Sequence, residues 1–163
     1  MALKADRHEL QTDISFFMDE AATRGGVVCF STAGSGAAMD QAAALVTYKA
    51  RPSGGTPVGL LLNDMVDIDL TRQHVNWHKD EVARGGKVTL LKKGYVVTNN
   101  IEGTAPTAGQ PAYLAHSGNL SASDLSNDTT DTDGSTRLVG RFLSTPDQDV
   151  YAKVEIMLPN TSI

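Results

Sequence analysis

The clearest hydrophobic pattern in the chain lies near its end. In residues 150–158, VYAKVEIML, one face carries Val150, Ala152, Val154, Ile156 and Leu158, and the other carries Tyr151, Lys153, Glu155 and Met157. A period of two with one apolar face predicts a half-buried antiparallel strand. Upstream, GGVVCFST around Val27–Phe30 reads as a strand rich in β-formers, and Ala43–Ala50 reads as another, although its alanines also permit a helix. Val58–Leu62 and Val66–Leu70 bracket Asn63-Asp64, a pair that favours a tight turn. Val88–Leu91 and Tyr95–Thr98 flank Lys92-Lys93-Gly94, which reads as a hairpin join, and residues 111–116 and 137–144 supply two more strands. The pattern predicts a mainly β protein.

Two segments break it. Residues 1–23 hold Leu10, Ile14, Phe16, Phe17 and Met18 amid Asp, Glu and Arg, with no turn signal to fold them back. Neighbouring phenylalanines cannot share one strand face, because side chains alternate. The segment is therefore either a first strand buried on both faces or an extended N-terminal arm that docks on a neighbouring subunit. On the arm reading those five side chains are its anchors, and residues 24–163 form the β domain. Residues 117–136 contain only three residues that are not Ser, Thr, Asn, Asp or Gly, so they are expected to project as an exposed polar loop or hairpin. Asp133-Gly134 would suit its tip.

The chain also echoes itself. Arg24-Gly25-Gly26-Val27 precedes Val58-Gly59-Leu60-Leu61-Leu62, and Arg84-Gly85-Gly86-Lys87-Val88 precedes Val139-Gly140-Arg141-Phe142-Leu143. In each pair a Gly-Gly turn opens a strand and a V-G-x-x-L strand follows later. Such recurrence suggests two similar β units packed together; chance repetition of short Gly and Val words is the rival explanation.

Composition narrows the function. With 163 residues, 40% hydrophobic and 20% charged, the chain can fill the core of one domain. A net charge of −5 and the scatter of Lys87, Lys92 and Lys93 argue against a phosphate-gripping, nucleic-acid-binding surface. No stretch approaches the roughly 20 apolar residues of a membrane helix, and the opening MALKADRHELQTD lacks the apolar run of a secretory signal. One cysteine, Cys29, excludes an internal disulfide.

No group of residues forms a convincing reactive centre. His74 and His78 would lie about 6 Å apart on a helix and could chelate a metal, but the alternation that runs into them favours a strand, where they sit roughly 13 Å apart. Asp131, Asp133 and Gly134 match part of a calcium loop, yet Thr129 and Gly140 occupy its first and twelfth positions. AGSGA around Ser35 lacks the outer glycines of a nucleophile elbow. Cys29, within an apolar alternation, reads as a core residue. No catalytic role, cofactor or metal is expected.

The order of these words resembles the decoration (cement) and minor capsid proteins of tailed bacteriophages. The likeness is carried by three stretches, Pro57–Ile101, Gly109–Leu120 and Val139–Leu158, within a span of about two-thirds of the chain. Its words are the Gly85-Gly86-Lys87-Val88 strand opening, Gly109-Gln110-Pro111-Ala112-Tyr113-Leu114, and Val139-Gly140-Arg141-Phe142-Leu143 leading into the strand that ends at Leu158. The resemblance implies a small β-barrel or β-tulip domain, often a homotrimer, made in the host cytoplasm and bound to the outer surface of the virion. There it would bridge subunits of the major capsid protein. The resemblance gives the capsid contact to the arm and not to individual positions; Leu10, Ile14, Phe16, Phe17 and Met18 are its anchors because they are the apolar side chains of an otherwise unattached segment. Two other readings remain open: another virion β module, such as a head-fibre or tail component, and a cellular barrel for a small ligand.

Overall fold

A computed structural model describes residues 3–31, 45–52, 55–62, 67–69, 74–76, 81–123 and 137–159. The protein is mainly β. In chain order the strands are β1 (His8–Met18), β2 (Ala22–Thr23), β3 (Val27–Phe30), β4 (Leu45–Thr47), β5 (Pro57–Leu61), β6 (Asp67–Asp69) and β7 (His74–Asn76). They continue with β8 (Glu81–Val82), β9 (Lys87–Thr98), β10 (Pro111–Leu114), β11 (Leu120–Ser121), β12 (Leu138–Phe142) and β13 (Ala152–Met157). Nine of them form one sheet, ordered β1-β4-β3-β5-β9-β13-β12-β10-β11, and β1 also pairs with β9. The first five strands therefore close on themselves. The rest curl back through a parallel bridge between Ile101, just past β9, and Leu120. The result is a barrel-like fold of two lobes that share β9.

Each lobe has its own core. The interior of the five-strand ring takes Phe16 and Met18 from β1, Val28 from β3, Val46 from β4, Val58 and Leu61 from β5, and Val88 and Leu90 from β9. The second core sets Val27, Cys29, Leu60 and Leu62 from the outer faces of β3 and β5 against Phe142, Val154, Ile156 and Leu114. Because β3 and β5 bury both faces, their sequences are unbroken apolar runs rather than alternations. The final strand alternates as its sequence predicts, with Ala152, Val154, Ile156 and Leu158 buried and Met157 exposed. Val150 departs from that pattern. It sits at φ 64° in the turn before β13 and faces solvent, so it is not part of the buried face.

Cys29 lies in the second core, and burial pushes its thiol up to about 12. A thiol reagent at pH 8 should leave the native protein unlabelled and titrate one thiol after denaturation. Native labelling at the rate of a free cysteine would mean that β3 does not bury this face.

The expected hairpin at Lys92-Lys93-Gly94 is not formed. These residues lie in the middle of β9, which changes partner there: Leu90 and Leu91 pair with β5, while Lys93–Thr98 pair with β13. At Gly94 φ is 142°, a conformation that side chains disfavour but glycine adopts readily, so the strand bends without reversing. A glycine after two lysines looks the same locally whether the chain turns back or only bends.

The polar segment also begins later than expected. Residues 116–118 form a 3-10 turn, and Gly118, Leu120 and Ser121 are buried as β11 joins the second core. Leu120 supplies the apolar anchor that draws the chain inward. Residues 124–136, including Asp133-Gly134, lie outside the described residues, as do Ser35, the Asn63-Asp64 turn and His78. His74 falls in β7, which pairs with β6, in line with the extended reading.

The internal echo holds locally and stops at the level of the sheet. Both Arg-Gly-Gly words form turns with a left-handed glycine, Gly25 at φ 108° and Gly85 at φ 79°. The short strands leading into them, β2 and β8, pair with each other. However, β3 pairs directly with β5, whereas β13 separates β9 from β12.

Candidate interaction surface

The segment read as a detached arm is held in the chain's own sheet. From His8 to Phe17, β1 pairs antiparallel with β9, with register breaks between Glu9 and Gln11, Gln11 and Thr12, and Asp13 and Phe16. Among the described residues its other edge pairs only at Phe17 and Met18, with β4. Both backbone edges are thus used at its end but only one along most of its length.

The five proposed anchors fall into two groups. Phe16 and Met18 are buried in the five-strand ring and cannot meet a partner there, a correction to the arm reading. Closure of β1 against β4 and β9 puts them inside, and each such burial contributes about 1.5–3 kcal/mol. Phe17 is half-buried. Leu10 and Ile14 are outside, 72% and 58% exposed. From His8 to Ser15 every residue except Asp13 is exposed, so this stretch contributes backbone pairing and little core.

What fixes the start of the segment is a residue that no pattern along the chain marks. Leu3 is buried in the second core and bridges to Thr98, while the amide of Lys4 donates to the carbonyl of Val97 at 2.9 Å. A lone leucine beside charged residues carries no periodic signal. Polar clamps follow it. The Lys4 ammonium donates to Asp147 and lies 4.2 Å from the centre of the Tyr151 ring. Lys153 reaches Asp6 at 3.3 Å and lies 3.8 Å from the centre of the Tyr95 ring, on which His8 stacks. Lys92 pairs with Asp13 at 2.7 Å.

The same contacts set the protonation of these groups. The hydrogen bond to Asp147 raises Lys4, and the same bond holds Asp147 below its ordinary value. Burial pushes the Asp13 carboxyl up, but hydrogen bonds from Lys92 and Ser15 outweigh it and keep that group low. Solvent-exposed pairs of this kind contribute little to stability and weaken with salt. Residues 3–15 are therefore held by backbone pairing, by Leu3 and by several weak ionic ties.

Among the described residues no three His, Cys, Asp or Glu side chains gather in a way that could hold a metal ion, and no helix is long and apolar enough to cross a membrane. The nearest approach to a polar centre is His116, whose Nδ1 lies 2.9 Å from Glu102 and whose amide donates to the same carboxylate at 3.1 Å. That pair ties the 3-10 turn to the loop after β9. No family model matches the sequence, and no curated protein matches it.

Proposed function

We propose that this chain is a decoration (cement) protein of a tailed bacteriophage, a homotrimer that binds across major capsid protein subunits on the outside of the expanded head. The reading rests on the resemblance running from Pro57 to Leu158. The observation that carries it to a surface is the exposure of Leu10 and Ile14 on the polar strand β1, beside a body whose two cores are filled by apolar side chains. Solvent-facing leucine and isoleucine on one strand are candidate anchors for a protein partner. The physics of the role is mass action: a protein that binds only the assembled shell shifts the equilibrium towards that shell. Threefold repetition of a rigid module multiplies weak contacts.

The test is co-sedimentation with expanded, empty phage shells. The full chain should bind at micromolar concentration. The double variant Leu10→Ser, Ile14→Ser should bind at least about tenfold more weakly, since two buried aliphatic side chains would be lost from the contact. Its melting temperature should hardly change, because exposed substitutions stay within about 0.5 kcal/mol. Failure of the full chain to sediment with any shell removes the reading.

A further inference from the structure

We propose that residues 3–15 exchange between copies of this chain, so that the start of β1 from one protomer lies on β9 of the next. The inference concerns the protein in solution, goes beyond the capsid reading and does not depend on it. Three features of the strand support it. From His8 to Ser15 almost every residue is exposed, so Leu3 is the one core side chain that leaves with residues 3–15, and the Leu3 of the incoming strand refills its place. Its apolar anchors are at the ends: Leu3 at the tip in the second core, and Phe16 and Met18 at the base in the first. Between Asp13 and Phe16 the register breaks, and the Ser15 amide turns back to the Asp13 carboxylate at 2.8 Å. That break is a hinge: opening it swings the strand outward while Phe16 stays in place.

The receiving surface is defined by the same contacts. It offers the backbone edge of β9, Lys92 and Lys153 for Asp13 and Asp6, and Asp147 for Lys4. Every copy carries this surface, so a strand from a neighbour meets the partners it has at home. The reach is sufficient. Thirteen extended residues span about 40 Å, against an expected radius of gyration of about 15 Å for a chain of this length. A closed ring of copies fills every acceptor, and rising protein concentration favours that form over the self-paired one.

The decisive experiment uses two single variants. Gln11 and Lys93 are paired across β1 and β9 and both are exposed, a spacing that suits a disulfide. Gln11→Cys and Lys93→Cys proteins would be mixed unfolded, refolded together at high concentration and oxidised. Exchange predicts a covalent heterodimer about tenfold or more above either homodimer on a non-reducing gel. The double variant should likewise link between chains. Closure of the double variant wholly within single chains, with no heterodimer in the mixture, overturns the proposal, and so does the absence of any link in either. Light scattering supplies an independent reading: the full chain should be oligomeric and a variant lacking residues 1–15 monomeric. A full chain that is monomeric at every concentration also overturns it. None of these measurements involves a shell, so a failed exchange and a failed decoration role remain distinguishable.

Discussion

Phe142→Ala should lower the stability of the protein by about 3–5 kcal/mol. Phe142 is fully buried in the second core and is the largest side chain there. Its backbone cannot follow a shrinking side chain. The Phe142 amide donates to the carbonyl of Gln110, its own carbonyl accepts from Gly109, both at 2.8 Å, and the residue pairs with Val154 on β13. A site clamped on two sides keeps its cavity, which places the cost near the upper end for an aromatic truncation. The melting temperature should drop by about 10 °C or more. The neighbouring residue is the control. Leu143 is exposed, and Leu143→Ala should stay within about 0.5 kcal/mol. Urea unfolding of the two variants decides the matter: equal midpoints would mean that Phe142 does not fill the second core.

The same residues show what the sequence could reveal. The last strand was legible because one of its faces is wet, and alternation is the signature of that situation. The runs at Val27–Cys29 and Leu60–Leu62 were legible as strands, but their place between two cores was not. A short apolar run says that both faces are buried without saying against what. At β9 the local signal misled, since a turn glycine and a bend glycine have the same neighbours in sequence; only the pairing of Lys93–Thr98 with β13 separates the two.

The N-terminal segment was ambiguous for a further reason. Three register breaks scramble any period of two between Glu9 and Phe16. The burial of Phe16 and Met18 depends on a ring closed by strands far away in sequence. Nothing in their local order separates the exposed Leu10 and Ile14 from the half-buried Phe17 or from Phe16 and Met18, which lie inside the ring. The ionic clamp was out of reach altogether, because Lys4 and Asp147, like Asp6 and Lys153, lie at opposite ends of the chain and carry no motif.

Gly94→Ala should release the N-terminal strand, and Leu3 with it, while leaving the rest of both cores filled. Two effects act at this position. At φ 142° a residue with a side chain is strained, at a cost of about 1–3 kcal/mol. An added Cβ would also overlap the carbonyl oxygen of His8, so β1 and β9 cannot keep their spacing there. Of the two elements that meet Gly94, β13 is anchored by Val154 and Ile156, whereas β1 is exposed at that level. The looser partner should yield. Hydrogen exchange should show lost protection for the Lys4 amide, which donates to Val97, and for the paired amides from His8 to Asp13. Amides of β12 and β13 should remain protected, and the melting temperature should fall by about 3–10 °C. The effect does not depend on which copy supplies β1, since either strand would meet the same methyl group. Unchanged protection from Lys4 to Asp13 would show that this strand does not sit on β9 in any copy. The exchange proposal and the cis pairing from which it was derived would then fail together.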